Sequence, residues 1–571
     1  NSFDNNWGVG LKVASRGAIT ASNITASNNG SGGAQLYNKW SNASGAITIN
    51  ALTGHITDFS NNGGYGLDVR SMGAITVNRV IANNNGFMGA LLSNYGALTA
   101  LPVTVNGIDF SNNHNDGLNI TSRGQVTLTE VSANNNDSVQ SPNIDLQTSV
   151  NERITDQNVS IGDKWWFTVD TGQNVELLMD SDDLDAYLEL RSAADALIIF
   201  GDDYGGSTNA RIYQWLAAGR YYVIARSSGL DQTGNYLLSM NDSTRSNFNR
   251  NGANGVDIST NVTGGVGGVT LNGTSLDGQG FSNNSSTGIL IYAKNTISAR
   301  NVHADDNGGF GAVLNNCLYD VGLGSCTGTG GVTVTGYSNG FNNNIQTGLS
   351  VHTTGNISVA EVSSSGNRAD GAYLSNYLGS GNVTITSTRP EINWMNDFSG
   401  NGSDGVELYT RGTITLNRFW ALSNGNRGVY AYSVGALSPR AVTVNNSMAY
   451  SNSDIGIQMD VNGPISLNNV KASYNTSYGA WLMNYSAQGV TILNGIYNNN
   501  GDSGAYIRTT GNVLMNHIEA GNNGDYGVLI GLRPDAVVTE AASSVTLLNT
   551  LGMNWFTYNG FDGLQVNASA V

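Results

Sequence analysis

Short runs of alternating apolar and polar residues recur along the chain. Gly66-Leu67-Asp68-Val69-Arg70 and Gly405-Val406-Glu407-Leu408-Tyr409 place apolar side chains two residues apart, and Ala74-Ile75-Thr76-Val77-Asn78 follows the first run with the same alternation. Because successive side chains of a strand point to opposite faces, the pattern predicts strands with one buried face. The residues expected to point inward are Leu67, Val69, Ile75 and Val77, with Asp68 and Thr76 outward.

A glycine opens these strands at a regular spacing. Glycines occur in pairs 23 residues apart, and the gap between pairs varies from 25 to 37 residues. One fixed and one elastic spacing is typical of a stack of coils in which the elastic connection carries a surface loop. The pairs are Gly10 and Gly33, Gly66 and Gly89, Gly288 and Gly311, Gly348 and Gly371, Gly405 and Gly428, Gly456 and Gly479, and Gly504 and Gly527.

Asparagine-rich turns such as Phe59-Ser60-Asn61-Asn62-Gly63 close each coil. Asn tolerates the backbone of tight turns, and asparagines stacked at one level can hydrogen-bond from coil to coil. No long helical stripe is present, so the repeat resembles the right-handed parallel β-helix of secreted pectate lyases, tailspike proteins and large bacterial surface proteins. We predict an all-β solenoid of about 17 to 19 coils, on the order of 80 to 90 Å long at one strand spacing per coil.

Large and small residues alternate at one level of the predicted core. Seven residues before the first glycine of a pair there is often Phe, as at Phe59 and Phe110, and before the second there is usually Ala, as at Ala82 and Ala304. This alternation is a packing device, because a dense interior needs bulky and small side chains to interdigitate.

The repeat stops between about Val150 and Asp242. Lys164-Trp165-Trp166-Phe167-Thr168-Val169 and Gly219-Arg220-Tyr221-Tyr222-Val223 read as short strands of an antiparallel sandwich. Together with the strand Leu184 to Leu190 and the Asp202-Asp203 turn, they resemble the pre-peptidase C-terminal (PPC) domain, a small β-sandwich attached to many secreted bacterial proteins. The predicted organisation is a β-helix at 1–149, an inserted PPC-like sandwich at 150–242 and a β-helix at 243–571.

Composition excludes several classes of function. The formal net charge is −17 with only 25 Lys and Arg, so we expect no nucleic-acid partner. No run of 18 apolar residues exists, so no membrane span is expected. The five histidines show no metal spacing and are expected at the surface or in turns. Cys317 and Cys326 lie in one loop. Their spacing is compatible both with a local disulfide in an oxidising compartment and with two free thiols.

Enzymes of this fold generally line their cleft with outward residues of one sheet. After the second glycine of each pair the outward residues are mostly apolar or aromatic, which predicts a stripe that contacts sugar or another subunit. Glu407 and Asp460 belong to coils two apart, and their expected separation of roughly 12 Å lies outside the usual glycosidase spacing. No acidic group with an Arg or Lys base is expected on neighbouring coils, and Asp68 beside Arg70 is interpreted as a solvated pair. The stripe comprises Leu91, Val313, Tyr373, Tyr430, Trp481 and Leu529.

The insertion contains an acid-rich stretch. Its carboxylates could surround Ca²⁺, and an acidic turn in which Asp residues cap loops is the equal alternative. The residues concerned are Asp180, Asp182, Asp183, Asp185, Asp202 and Asp203. The sequence requires no cofactor beyond this optional calcium.

The chain begins and ends in mid-pattern, from which we expect head-to-tail association. The coil around Gly10 and Leu11 would stack on the coil around Gly563, Leu564 and Val566, because an open coil presents unpaired backbone groups.

Three functions compete at this point. The sequence favours a non-enzymatic extracellular or cell-surface structural or adhesive protein, such as a filament subunit or a segment of a giant surface protein. A polysaccharide lyase or glycoside hydrolase of the β-helix type is the second, which leaves enzymatic activity open. The third is a carbohydrate-binding surface protein that uses Tyr373, Tyr430 and Trp481 for sugar stacking, with a cell-surface polysaccharide as its partner.

Overall fold

The fold was examined in a computed structural model of the full chain. The structure describes residues 1–568 except for 41–42, 44, 53–54, 134–135, 137–147, 155–162, 170–172, 181–184, 203–209, 218, 229–233, 242–250, 252–253, 263–264, 274–278, 318, 321–324, 327, 388–395, 437 and 532–541. It divides into two compact units, one formed by Asn1–Ser138 with Ser246–Val571 and the other by Val139–Arg245. Across the described residues, no helix is suited to spanning a membrane.

The first unit is a right-handed parallel β-helix, as the sequence predicts. Its sheet I has 17 parallel strands within the described residues. With strands numbered in chain order, sheet I comprises β1 (Leu11–Ala14), β3 (Ala34–Asn38), β6 (Leu67–Ser71), β8 (Ala90–Ser93), β10 (Leu118–Thr121), β20 (Val256–Ser259), β23 (Ile289–Tyr292), β26 (Ala312–Asn315), β31 (Leu349–His352), β34 (Ala372–Ser375), β37 (Val406–Tyr409), β40 (Val429–Tyr432), β42 (Ile457–Val461), β44 (Ala480–Asn484), β46 (Ala505–Arg508), β48 (Val528–Ile530) and β50 (Leu564–Val566).

The remaining strands of the solenoid pair in parallel as sheet II. In some coils one long strand of sheet II continues around a corner of the coil. In other coils two short strands take its place. Sheet II comprises β2 (Ile19–Ser22), β4 (Ile47–Asn50), β5 (Thr57–Asp58), β7 (Ile75–Ile81), β9 (Val103–Asp109), β11 (Val126–Ser132), β21 (Val269–Asn272), β22 (Gln279–Gly280), β24 (Ile297–Arg300), β25 (Val302–His303), β29 (Val332–Thr335), β30 (Asn339–Gly340), β32 (Ile357–Ala360), β33 (Val362–Ser363), β35 (Val383–Thr386), β36 (Asn396–Asp397), β38 (Ile414–Asn417), β39 (Phe419–Leu422), β41 (Val442–Tyr450), β43 (Ile465–Ser473), β45 (Val490–Ile496), β47 (Val513–Glu519) and β49 (Val545–Leu548). A two-stranded antiparallel hairpin, β27 (Tyr319–Asp320) and β28 (Ser325–Cys326), lies in a loop between coils.

The second unit is a sandwich of two four-stranded antiparallel sheets, which agrees with the predicted PPC-like architecture. Apolar side chains that alternate along its strands form its core, among them Leu177, Leu188 and Val223. One sheet has the order β12 (Thr148–Ile154), β19 (Gly234–Asn241), β14 (Gln173–Asp180), β17 (Ala210–Leu216), and the other β13 (Asp163–Val169), β18 (Gly219–Ser227), β15 (Ala186–Ser192), β16 (Leu197–Asp202).

The solenoid core lies between the inward faces of its sheets. Leu67, Val69, Ile75 and Val77 are fully buried in it, and Thr76 points outward, as predicted. The Phe and Ala of the alternating level, such as Phe59 and Ala82, are also fully buried. Asp68 points outward but is only 2% exposed, because Arg70 donates two hydrogen bonds to its carboxylate and the Tyr37 hydroxyl a third. The interpretation of Asp68 and Arg70 as a solvated pair was therefore wrong.

A ladder of buried asparagines runs along one corner of the solenoid. At every step the backbone N–H and the side-chain Nδ2 of one asparagine both donate to the Oδ1 of the asparagine in the next coil, over 2.8–3.1 Å and 2.7–3.1 Å respectively. The ladder residues are Asn6, Asn29, Asn62, Asn85, Asn113, Asn136, Asn251, Asn284, Asn307, Asn344, Asn367, Asn401, Asn424, Asn452, Asn475, Asn500, Asn523 and Asn559.

The repeated glycine is a steric consequence of this ladder. It follows each ladder asparagine except Asn136 by four residues. A Cβ at Gly405 would lie 2.8 Å from Nδ2 of Asn424 and 2.6 Å from the carbonyl oxygen of Gly428. No side chain fits between neighbouring coils at this point. The glycine spacing in the sequence therefore reports the spacing of the ladder.

The solenoid is continuous across the insertion. Strand β10 pairs directly with β20 and β11 with β21, and Asn136 donates to Asn251 as any other ladder pair does. Residues on the two sides of the insertion therefore contact one another directly.

We predict that Asn424→Ala destabilises the solenoid by about 1–3 kcal/mol, because two donors of Asn401 lose their acceptor in a buried site. Hydrogen exchange at the Asn401 amide should accelerate, and the denaturant midpoint followed by circular dichroism should fall. The control is Asn426→Ala in the same turn, where Asn426 is half-buried and its backbone N–H bonds to the Ser403 carbonyl. Equal effects of the two variants would contradict a specific role for the ladder.

We also predict that deletion of residues 139–245, with Ser138 joined to Ser246, leaves the solenoid folded. Nearest-neighbour contacts dominate solenoid stability, so the melting temperature should shift by no more than about 5 °C. Thermal melting of the deletion variant and the full chain by circular dichroism checks this. Loss of the β-sheet signal at room temperature would show that the insertion is an integral part of the solenoid.

Candidate functional site

The outward face of sheet I carries a group of tyrosines on consecutive strands. We call Tyr373, Tyr377, Tyr409, Tyr430 and Tyr432 the tyrosine cluster; all five are half-buried. Alternation along β34, β37 and β40 places Tyr373, Tyr409, Tyr430 and Tyr432 outward, because the residues between them are in the solenoid core. Tyr377 follows β34 in the adjoining turn. The parallel register aligns Tyr373, Glu407, Tyr430 and Gln458 in one row, and Ser375, Tyr409, Tyr432 and Asp460 in the next.

The rings of the cluster contact one another across the strands. Tyr409 is central, with ring centroids 5.7 Å from Tyr373, 5.9 Å from Tyr430 and 5.8 Å from Tyr432. Tyr377 lies 6.0 Å from Tyr432 and extends the cluster along the coil. The result is a continuous aromatic surface on rigid strands.

Three carboxyl groups gather beside this surface. One oxygen from each of Asp370, Asp404 and Glu407 lies within 4.8 Å of the other two. Asp404 is only 2% exposed and is held by Arg427, with Nε 3.1 Å from Oδ1 and Nη2 2.7 Å from Oδ2. Nη2 of Arg427 also lies 4.0 Å from Oε1 of Glu407. We call Asp370, Asp404 and Glu407 the acidic group.

Arg427 joins the acidic group to the tyrosines. Its guanidinium lies over the Tyr430 ring at 4.0 Å from the centroid, and its Nη1 donates to Gln458 at 3.3 Å. Gln458 in turn donates to Oδ2 of Asp460 at 2.8 Å. Asp404 thus fixes Arg427, and Arg427 fixes the Tyr430 ring.

Burial shifts the titration of the remaining carboxyl groups. The pKa of Glu407 is raised by burial and by the negative charges of Asp370 and Asp404, against the hydrogen bond that the Tyr409 hydroxyl donates to it over 2.7 Å. The pKa of Asp460 is also raised, chiefly by burial. Burial and the charge of Asp460 raise the pKa of Tyr430 to about 12. Glu407 and Asp460 therefore hold protons to higher pH than exposed carboxyl groups do.

His352 lies at the edge of the tyrosine cluster, on β31. Its ring centroid is 5.3 Å from that of Tyr373, and its Nε2 lies 3.3 Å from the Ser350 hydroxyl. Burial lowers the pKa of His352, so the ring is neutral at pH 7. His352 is half-buried on the outward face of sheet I, which agrees with the expected surface position.

The residues of the predicted stripe lie in different environments on sheet I. Tyr373 and Tyr430 belong to the tyrosine cluster, whereas Trp481 packs in a neighbouring outer apolar cluster with Tyr478, Tyr506 and Leu529. Leu529 is only 1% exposed, because these aromatic rings cover it, and it offers no surface to a ligand. Leu91 and Val313 are half-buried on β8 and β26, away from the cluster.

The acidic group was not predicted. We expected no acidic group with an Arg or Lys base on neighbouring coils, and this expectation was wrong. Asp370, Asp404 and Arg427 each precede a repeat glycine, so they lie in the turn before the strand and not at the outward strand positions that define the stripe. A charged residue precedes the repeat glycine in three successive coils, at Gly371, Gly405 and Gly428, and this recurrence is the signal that could have identified them. Tyr409 and Tyr432 occupy the second outward position of their strands, which the stripe did not include.

The other predicted site residues lie elsewhere. Cys317 and Cys326 form a disulfide, with Cα atoms 4.7 Å apart. Of the six acids in the insertion, Asp182, Asp183 and Asp203 fall outside the described residues, and only the backbone of Asp180 is described. Ser228 links the remaining two, since its N–H donates to the Asp185 carbonyl and its hydroxyl to the Asp202 carboxylate.

Comparison with known proteins supports the fold. Residues 394–541 match the family model described as a right handed beta helix region. None of the curated proteins matches the chain.

Solved structures are similar to each of the two units. The catalytic unit of a thermostable GH87 α-1,3-glucanase from Streptomyces thermodiastaticus is 11% identical, covers 74% of this chain and 95% of its own, and gives a TM-score of 0.25. The catalytic domain of a GH87 α-1,3-glucanase in complex with tetrasaccharides is 8% identical, covers 75% and 96%, and also gives 0.25. The pre-peptidase C-terminal domain of a Bacillus anthracis collagenase is 16% identical and covers 17% of this chain and 90% of its own, with a TM-score of 0.15. These likenesses concern the fold, and the function has to be argued from the residues of this chain.

We predict that Glu407→Gln raises the melting temperature at pH 8, because the native protein no longer has to ionise a half-buried carboxyl group. A raised native pKa favours folding at low pH, and this contribution is lost as the pH rises through the native value. The difference from the parent should therefore close below about pH 4, where both states of the parent carry the proton. Thermal melts from pH 4 to pH 8 test this, with Glu519→Gln at an exposed site as the charge-matched control. A variant less stable than the parent at pH 8 would contradict the assignment.

Proposed function

We propose that this protein is an extracellular adhesive β-solenoid that binds polysaccharide on the outward face of sheet I. The observation that carries the proposal is the tyrosine cluster, a continuous aromatic surface flanked by hydrogen-bonding groups. Sugar rings combine apolar C–H faces with hydroxyl edges. Half-exposed aromatic rings beside carboxylate, amide and hydroxyl groups suit both parts.

The scaffold supports this role by holding the site in place before a ligand arrives. Tyr373, Tyr409, Tyr430 and Tyr432 project from strands, and the core residues between them fix the strands in register. Little conformational entropy is then lost when a polymer binds. Several coils contribute to the surface, so the site suits an extended chain of sugars.

Hydrolysis of a glycosidic bond is the second candidate function, favoured by Glu407 within the acidic group. Its raised pKa suits a general acid, and the charge of Asp404 or Asp370 suits stabilisation of a positively charged transition state. Glu407 would give its proton to the leaving oxygen as the C–O bond breaks. Water would then supply the hydroxyl for the sugar and return a proton to Glu407. Reducing ends released by the parent and absent with Glu407→Gln would establish this function.

Two further expectations accompany the main proposal. Head-to-tail association through Gly10 and Leu11 with Gly563, Leu564 and Val566 would make the solenoid a filament subunit, which light scattering over a range of concentrations tests. Calcium binding by the insertion is tested by titrating Ca²⁺ into the full-length protein. Neither is needed for saccharide binding on sheet I.

We predict that Tyr409→Ala weakens the binding of neutral oligosaccharides about 5- to 30-fold, since a stacking ring contributes roughly 1–2 kcal/mol. Isothermal titration calorimetry measures this with two ligands, an α-1,3-linked glucose hexamer and a β-1,4-linked N-acetylglucosamine hexamer. Tyr292→Ala is the matched control, because Tyr292 is an outward half-buried tyrosine on β23 of the same sheet. Equal affinity of the two variants, or no binding of any hexamer by the parent, would refute the proposed site.

A further inference from the structure

Carboxyl groups border the tyrosine cluster on both sides. Glu407 lies in register between Tyr373 and Tyr430, with Asp404 and Asp370 beside it, and Asp460 is the neighbour of Tyr432 in the next strand. A ligand that lies on the rings therefore has acidic groups along its edges.

The positive charge at this site is already engaged. Arg427 donates two hydrogen bonds to Asp404, which is buried, and its flat face is occupied by the Tyr430 ring. Arg411 lies over Tyr377, at 4.6 Å from the ring centroid. The hydrogen bonds to Glu407 and Asp460 come from neutral donors, the Tyr409 hydroxyl and the Gln458 amide. The guanidinium of Arg427 is thus engaged by Asp404, while Glu407 and Asp460 accept hydrogen bonds from neutral groups.

Ionisation of both border carboxyl groups is disfavoured at this surface. Burial and the neighbouring carboxylates raise the pKa of Glu407, and burial raises the pKa of Asp460. A cation beside either carboxylate would stabilise its ionised form. The tyrosine faces would also attract it through their ring quadrupoles.

We propose that the tyrosine cluster with its acidic border selects polymers of amino sugars, whose rings stack on the tyrosines while their ammonium groups bind Glu407 and Asp460. This deepens the proposed function and rests on it. Each of the two carboxylates can accept charge-assisted hydrogen bonds from the ammonium group of a different sugar unit, whereas the carboxylate of a uronic acid is repelled by all four acids. Neutral sugars bind through stacking and neutral hydrogen bonds alone.

Isothermal titration calorimetry at pH 6 and low salt measures the binding of three hexamers to the full-length protein. They are the β-1,4-linked hexamers of glucosamine and of N-acetylglucosamine and the α-1,4-linked hexamer of galacturonate. The glucosamine hexamer should bind at least about 10-fold more tightly than the N-acetylglucosamine hexamer, the size of one charge-assisted contact, and galacturonate should bind most weakly. In the double variant Glu407→Gln with Asp460→Asn the preference should vanish, while binding of the N-acetylglucosamine hexamer persists. Both changes keep the side-chain shape, and circular dichroism checks the fold.

The control is Asp257→Asn, which removes an exposed outward acid from β20 of the same sheet and should leave the preference unchanged. If the N-acetylglucosamine hexamer binds as tightly as the glucosamine hexamer, the inference is wrong and the proposed function stands. If the double variant keeps the preference, or Asp257→Asn reduces it as much, attraction to a protein of net charge −17 explains the result and the inference is again wrong. If no hexamer binds, both the inference and the proposed function fall.

Discussion

The asparagine ladder is the constraint on which the rest of the solenoid depends. Each ladder residue supplies one acceptor that satisfies two donors of the preceding coil, and it does so in a buried corner where a lost partner costs about 1–3 kcal/mol. The same geometry leaves no room for a Cβ four residues later, so glycine recurs there. Coil spacing, turn composition and strand register all follow from this one contact. It also holds across the insertion, at Asn136 and Asn251.

Because the ladder and the core fix each coil, the outward positions of sheet I can vary without loss of the fold. Most of them carry small or polar residues, and near β34, β37 and β40 they carry the tyrosine cluster. The turn residue before the repeat glycine is free in the same way, and there Asp370, Asp404 and Arg427 lie on successive coils. Two independent sets of outward positions thus converge on one surface. Arg427 links them, since it binds Asp404 and covers Tyr430.

The sequence predicted the fold well because the fold is periodic. Alternation placed Leu67 and Val69 in the core, and the recurring glycine located the coils. The site was predicted only in part, since Tyr373 and Tyr430 were found but Asp404 and Tyr409 were not. Strand alternation identifies which face a residue occupies, but not which turn residue of one coil reaches a strand residue of the next. Asp68 and Leu529 show the same limit, because their burial depends on side chains from neighbouring coils, Tyr37 and Tyr506 among them.

We propose that the tyrosine cluster with its acidic border is a saccharide site. The decisive measurement is an experimental structure of the full chain with a bound amino-sugar hexamer. We expect sugar rings against Tyr409 and Tyr430, with an amino or hydroxyl group within hydrogen-bond distance of Glu407. Sugar bound elsewhere on the solenoid or on the sandwich, with the tyrosine cluster covered by the protein's own loops, would contradict it.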